Sequence, residues 1–199
     1  METVLILDFG AQYSQLIARR VREQNVYCEV KPCSISPAEI EKIAPIGIIL
    51  SGGPQSVYES VSPHVDPALF ALGIPVLGIC YGCQLMAYSL GGTVAAATEA
   101  TAREYGKTLT EFDTESAIFH GLPASSVTWM SHGDYISQVP DGFTVTAKTA
   151  VCPTAAMACP EKKLYGVQFH PEVQHTVQGS EILSRFLSSV CGASGDWTM

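Results

Sequence analysis

The stretch Val76–Met86 constrains the fold more than any other part of the chain. An apolar run, Val76-Leu77-Gly78-Ile79, passes straight into Gly78-Ile79-Cys80-Tyr81-Gly82, and a helical pattern starts at once. A strand that becomes a helix across one such turn has the layout of a nucleophile elbow. The two glycines let strand and helix pack closely around the turn. The turn lifts the Cys80 side chain to the N-terminus of the next helix, where free N–H groups and the helix dipole favour a thiolate. Cys80 is therefore a candidate nucleophile. The plainer alternative is a buried, inert cysteine.

The rest of the first half alternates strand and helix. Val4-Leu5-Ile6-Leu7-Asp8-Phe9 reads as a buried parallel strand. Tyr13, Leu16, Ile17 and Val21 have helical spacing within a segment from about Gln12 to Gln24. Val26–Val30 is a second strand. Ser36-Pro37-Ala38-Glu39 is a helix start with Ser at the N-cap, Pro at N1 and Glu at N3. Gly47–Leu50 is a third strand, followed by the turn Ser51-Gly52-Gly53-Pro54. A short helix, Asp66–Leu72, leads to the strand Pro75–Ile79, and the elbow helix ends near Leu90. From about Thr93 the segments become shorter and β-branched: Lys107–Phe112, Val127–Met130, Phe143–Ala147, Ala155–Ala158 and Leu164–Phe169. A helix over Gln178–Val190 closes the pattern. The expected fold class is α/β: a doubly wound, mostly parallel sheet with helices on both faces and appended mixed or antiparallel strands. Ligands of such sheets sit beyond the carboxyl ends of the strands, where Asp8-Phe9-Gly10, Ser51-Gly52-Gly53 and Cys80 all fall.

Composition excludes several function classes. The chain has 199 residues, 47% hydrophobic and 15% charged, with a formal net charge of −8. That suits one domain with a substantial core. The one basic cluster, Arg19, Arg20 and Arg22, lies on the first predicted helix, so no basic face for nucleic acid is expected. No apolar run reaches the ~20 residues of a membrane span, so no membrane is expected. The N-terminus enters a strand without a leader-like basic segment. Seven cysteines without framework spacing point to a reducing, cytoplasmic location.

A cysteine nucleophile needs a base, and the base needs an orienting partner. Tyr165-Gly166-Val167-Gln168-Phe169-His170-Pro171-Glu172 offers both. His170 precedes proline and is biased toward an extended backbone, which would set Glu172 on its side of the chain. Glu172 could then fix the tautomer of His170. The alternative is a strand-end histidine beside a surface glutamate. Gly52-Gly53 could bring backbone N–H groups to an oxyanion, with donors from Gly53 and from Tyr81, the residue after Cys80. The alternative is a tight Gly-Gly-Pro turn. Cys80-Tyr81-Gly82-Cys83 is also a C-x-x-C at a strand-to-helix turn, the thioredoxin-type layout, so a dithiol oxidoreductase is a rival on local residues. A structural zinc site is weaker, because no second C-x-x-C or His pair accompanies it; no metal is expected.

Together these segments resemble class I, triad-type, glutamine amidotransferases. The matching residues are Leu7–Tyr13, Leu50–Pro54, Gly78–Gly82, Trp129–Asp134 and Gly166–Glu172, in family order along nearly the whole chain. Asp8-Phe9-Gly10-Ala11-Gln12-Tyr13 and Trp129-Met130-Ser131-His132-Gly133-Asp134 resemble the GMP synthase branch of that family. The resemblance implies hydrolysis of glutamine to glutamate and ammonia through a γ-glutamyl thioester. Cys80 is then the nucleophile, His170 the acid and base, and Glu172 its orienting partner. Glutamine contacts are implied at Gln84, Ser131, His132, Gly133 and Asp134; the last four otherwise read as an ordinary turn. Residues 1–191 would form the amidotransferase domain and 192–199 a linker toward an ATP-pyrophosphatase synthetase domain, making the chain an excised domain or natural fragment. The implied parent uses ATP and Mg on that other domain, aminates XMP to GMP and is a homodimer, while the domain itself carries no cofactor. Gln12 and Tyr13 are candidates for the contact between domains. Family members more often carry methionine or another apolar residue at the position of Cys83, which is read as a packing residue. A γ-glutamyl hydrolase or peptidase would share the same constellation.

Overall fold

The structure, a computed structural model, describes residues 1–10, 13–53, 56–59, 62–97 and 103–199. Ala11, Gln12 and Pro54 of the segments above lie outside the described residues. Four strands build the first half: β1 (Thr3–Asp8), β2 (Tyr27–Pro32), β3 (Gly47–Leu50) and β4 (Val76–Ile79). They are interleaved with α1 (Ser14–Glu23), α2 (Pro37–Ile43) and α3 (Tyr81–Ser89). The second half supplies β5 (Thr93–Ala96), β6 (Glu104–Phe112), β7 (Ser125–His132), β8 (Asp134–Gln138), β9 (Thr144–Lys148), β10 (Ala156–Cys159), β11 (Leu164–Val167) and α4 (Gly179–Arg185).

Nine of these strands form one sheet in the order β2-β1-β3-β4-β11-β10-β9-β6-β7. The pairs from β2 to β11 are parallel and those from β11 to β7 antiparallel. β5 and β8 form a separate antiparallel pair. This is the expected doubly wound α/β architecture with antiparallel strands appended. Successive β1 residues explain the two-sided burial. Val4 and Ile6 join a cluster with Ile17 and Val21 of α1 and Ile182 and Leu183 of α4. Leu5 and Leu7 join a second cluster with Ile40 of α2 and Leu85 and Met86 of α3. Strand side chains alternate between faces, so a run apolar at every position must be covered on both.

Local chemistry sets the element ends. At α2 both capping-box bonds form: Ser36 Oγ accepts from Glu39 N at 3.2 Å, and Ser36 N donates to Glu39 Oε2 at 3.3 Å. The expected helix Asp66–Leu72 is instead a 3-10 turn, Pro67–Ala71, started by Asp66 Oδ1 accepting from Ala68 N. The strand expected over Leu164–Phe169 ends at Val167. The expected closing helix changes to π-helical winding over Phe186–Val190, where Cys191 N reaches back to Phe186 O at 2.9 Å. After it, residues 192–199 lie against the start of the chain: Trp197 N donates to Asn25 O, the Trp197 ring packs on Tyr27, and Ser194 N donates to Glu2 Oε2.

Candidate active site

The carboxyl ends of β1, β3, β4 and β11 converge on one edge of the sheet. The order β2-β1-β3 reverses direction at β1, a switch point of the kind near which ligands of such sheets bind. Cys80 occupies the elbow after β4, with φ 52° and ψ −108°, a conformation rarely adopted by non-glycine residues. Such a backbone costs on the order of 1–3 kcal/mol and persists only where its surroundings force it. The glycines explain the force. A Cβ on Gly78 would stand 2.6 Å from Gly82 O, and one on Gly82 would stand 2.5 Å from Leu50 O. Strand, turn and helix therefore touch backbone to backbone. Cys80 N donates to Val167 O at 2.8 Å, which joins the elbow to the end of β11.

His170 lies three residues beyond the end of β11, anchored to β7 rather than carried by its own strand. Its N–H donates to Trp129 O at 3.0 Å. Its carbonyl accepts from Thr176 Oγ1 at 2.6 Å, and that oxygen accepts from Trp129 N at 2.9 Å. His170 Nδ1 is 3.0 Å from Glu172 Oε1, and Glu172 is fully buried. Among the described residues the other carboxylate oxygen of Glu172 has no partner, while its backbone carbonyl accepts from Arg20 Nε. The remaining nitrogen, Nε2, is left for Cys80. Burial works against a charge on His170, but hydrogen bonds to Cys80 and Glu172 and their charges outweigh it, raising its pKa from the usual 6.5 to about 11. The ring of Tyr13 meets His170 edge-on at 5.7 Å between centroids.

Gly53 closes another side. A Cβ there would come within 3.2 Å of Phe9 O and of the Tyr81 ring, so only glycine fits without displacement. Ser51 Oγ accepts from Phe9 N and donates to Gly52 O, tying the β1 and β3 ends together. Tyr81 is locked by its hydroxyl on Pro63 O at 2.6 Å. As the first residue of α3, Tyr81 has an N–H with no partner inside the helix.

A cleft of about 340 Å³ opens over Cys80. It is near the lower end of the roughly 300–1,000 Å³ usual for small-molecule sites, which suits an amino acid. Its walls include Gly53, Cys80, Tyr81, Gln84 and the turn Ser131–Asp134, all expected from sequence. His170 and Glu172 stand behind Cys80 and are not among the lining residues. Ser56, Glu59 and Tyr105 also line the cleft and were not anticipated; none belongs to a motif that sequence reasoning could use.

His132 serves the site from within. Its Nδ1 is 2.8 Å from Asp134 O, its Nε2 is 3.0 Å from Glu104 Oε1, and its side chain is almost wholly buried. Its ring nitrogens are thus both used by the protein. Glu104, His132 and Cys152 place potential metal-ligand atoms within 4.8 Å of one another. Those atoms are already engaged. Thr149 Oγ1 donates to Glu104 Oε2 at 2.7 Å, and the Cys152 thiol donates to Thr154 O at 3.3 Å. Burial, with the Glu104 charge beside it, pushes the Cys152 thiol up to about 12. The group fits a closed hydrogen-bond network better than a metal centre. Cys83 is fully buried against Gly166, and burial raises its thiol well above the ordinary range.

The glutamine amidotransferase class-I family model matches residues 5–190. The chain is 56% identical over 198 residues to the glutamine-hydrolysing GMP synthase of Clostridium botulinum (strain Alaska E43 / Type E3). It is 58% identical over the same length to that of Caldanaerobacter subterraneus subsp. tengcongensis. Each alignment covers 100% of this chain but 38% of the relative, so the chain spans about two fifths of the length of these curated proteins. Among solved structures, a Thermoplasma acidophilum protein described as a GMP synthase subunit superposes with TM-score 0.83 at 31% identity, covering 96% of this chain and 94% of that one. A Thermotoga maritima glutamine amidotransferase shares the fold, with TM-score 0.76 at 20% identity over 96% of this chain and 99% of that one.

Proposed function

This chain belongs to the class-I glutamine amidotransferase family, and from that premise we propose that it hydrolyses glutamine to glutamate and ammonia at Cys80. The observation that carries the reading is the imidazole of His170 held between Cys80 and the buried Glu172. Cys80 Sγ attacks the side-chain amide carbon of glutamine. The C–S bond forms as the carbonyl electron pair moves onto oxygen, where the N–H groups of Gly53 and Tyr81 receive it. His170 Nε2 gives its proton to the departing nitrogen, the C–N bond breaks, and ammonia leaves a γ-glutamyl thioester. Water then gives a proton to His170 and attacks the same carbon. The C–S bond breaks, and Cys80 returns as the thiolate. Glu172 keeps Nδ1 protonated throughout and aims Nε2 at the reacting atoms. The carboxylates of Glu59 and Asp134 make the outer cleft acidic, which suits the α-ammonium end of the substrate, and Gln84, Ser131 and Gly133 complete the wall.

In the longer parent the ammonia passes to a synthetase portion that uses ATP with Mg to adenylate XMP and aminate it to GMP; none of that chemistry falls on residues of this chain. The cytoplasm is the compartment proposed for it, and a homodimer the state of the parent. Residues 192–199 lead toward the synthetase portion, and Tyr13 beside His170 belongs to the contact surface. The isolated chain is expected to be a slow glutaminase, because lids and partner domains commonly complete such sites. Ammonia release is compared with and without the synthetase portion, ATP and XMP; equal rates overturn the coupling. Incubation with glutamine and with poly-γ-glutamate separates this reading from a γ-glutamyl hydrolase, which would cleave the polymer.

A further inference from the structure

Gln168 is fully buried, and no step above uses it. Its side chain nevertheless touches the reacting sulfur: Gln168 Nε2 lies 3.5 Å from Cys80 Sγ. Its Oε1 is 3.1 Å from Gln84 Nε2, and that same nitrogen is 3.0 Å from Asp134 O. The direction of this relay is forced. A backbone carbonyl can only accept, so the Gln84 atom facing Asp134 must be the NH2 group. Its second hydrogen then points at Gln168, whose facing atom must be the carbonyl oxygen. The remaining end of Gln168, its NH2, must face Cys80. Asp134 O cannot turn away, because it also accepts from His132 Nδ1 at 2.8 Å. The backbone of Gln168 is pinned too, with its N–H on Ala155 O at 2.8 Å.

Besides His170, the sulfur meets two opposed partners. Ser131 O, 3.6 Å away, can take the proton of a thiol but repels a thiolate. The Gln168 N–H favours the thiolate over the thiol. We propose that Gln168 is a further catalytic residue of this site, a buried N–H donor that holds the Cys80 thiolate and couples it through Gln84 to the Ser131–Asp134 wall. The proposal rests on the reading of Cys80 as nucleophile. A donor of this kind acts on the charged sulfur in both halves of the reaction: it stabilises the attacking thiolate and receives it again when the thioester breaks. Disturbing the wall at Asp134 would rotate Gln84, then Gln168, and so withdraw the donor from the sulfur.

The test uses Gln168→Met, similar in size but without the N–H, Gln168→Glu, and Cys80→Ala as reference, each made in the full chain. Iodoacetamide alkylation of Cys80 is followed against pH, alongside glutaminase kcat and KM. Loss of a hydrogen bond to a charged group corresponds to about a 10- to 100-fold effect. Gln168→Met is therefore expected to slow alkylation and kcat by that factor near neutral pH, with KM within about threefold and the alkylation profile displaced to higher pH. Gln168→Glu is expected to be worse at neutral pH and to recover partly in acid, where a protonated carboxyl can donate. Wild-type alkylation and kcat in Gln168→Met, with Cys80→Ala inactive, overturn the role of Gln168 and leave the nucleophile standing. Glutaminase activity retained in Cys80→Ala overturns the nucleophile itself. Should Gln168→Met fail to fold, the Gln168 side-chain amide is followed by NMR in the unaltered chain. A large proton shift on alkylating Cys80 supports the donor, and an unmoved resonance contradicts it.

Discussion

On the parallel side of the sheet, backbone sterics place the elbow cysteine and the Gly53 turn. Cys80 is held at φ 52° because Gly78, Gly82 and Leu50 leave the turn no other path, and Gly53 sits where a Cβ would meet Phe9 O. On the antiparallel side, side-chain hydrogen bonds place the cleft wall. Ser131–Asp134 bridges β7 and β8, and its shape depends on His132 and Gln84 meeting on the Asp134 carbonyl, with Glu104 bonded to His132 and Gln168 to Gln84. His170 belongs to both, following a parallel strand but anchored to β7 through Trp129 and Thr176. A region built by sterics tolerates no added atom, whereas a region built by hydrogen bonds tolerates the same atoms only with the same donors and acceptors.

The largest contrast is expected at Gly82. Gly82→Ala drives a Cβ to 2.5 Å from the backbone of Leu50, which cannot yield as a flexible side chain could. The variant is expected to lose at least about 3 kcal/mol in urea unfolding, together with all activity. Cys80→Ala should by contrast keep the fold and lose about 10⁴-fold or more in kcat, read by ammonia release. A stable, active Gly82→Ala would break the steric account of the parallel side.

On the other side, Glu104→Gln preserves shape but removes the charge facing His132 Nε2. Its expected effect is a rise in KM of about tenfold, larger than the fall in kcat, with about 1–3 kcal/mol of lost stability. A change confined to kcat would show that the wall acts on chemistry rather than on substrate binding.

The His170 pair predicts a pH effect. His170 holds its proton to about 11 in the fold against 6.5 when unfolded. Between those values His170 carries a proton in the native state that it lacks when unfolded, so its contribution to stability falls as pH rises. Its contribution is complete below the unfolded value and lost as pH passes the folded one. From about pH 7 to about pH 9 the melting temperature of the native chain should fall more steeply than that of His170→Asn. Equal slopes would contradict the raised value.

The smallest effect is expected at Cys83. Cys83→Ala should leave kcat within about threefold of the native chain, since the buried thiol packs in the core against Gly166. Gly166→Ala alone places its Cβ 2.6 Å from Cys83 Sγ and should destabilise; the double variant should recover most of that loss. Inactivity of Cys83→Ala as complete as that of Cys80→Ala would revive a dithiol mechanism.

The same division governs what was legible in the sequence. The alternation of β1 through α3, the capping box at Ser36 and the elbow at Cys80 are local patterns whose physics lies within a few residues. The pairing of His170 with Glu172 was legible for the same reason, although the strand stops at Val167 and a loop, not a strand, carries both. Glu104 was not legible: it meets His132 across 28 positions, and nothing near it marks a buried acid. Gln168 lay inside a segment already singled out, yet the role proposed for it depends on a bond to Gln84, 84 positions away. Tyr105 reads as one more residue of an alternating strand and becomes a cleft residue only because β6 pairs with β7 at Ser131.

The central claim is that Cys80, alone among seven cysteines, is the glutamine-directed nucleophile. The most direct measurement is labelling of the native chain with an electrophilic glutamine analogue, followed by peptide mapping. The account predicts one adduct, on Cys80, that excess glutamine suppresses and that Cys80→Ala abolishes. An adduct on Cys83 or another cysteine, or equal labelling in the presence of glutamine, would contradict it.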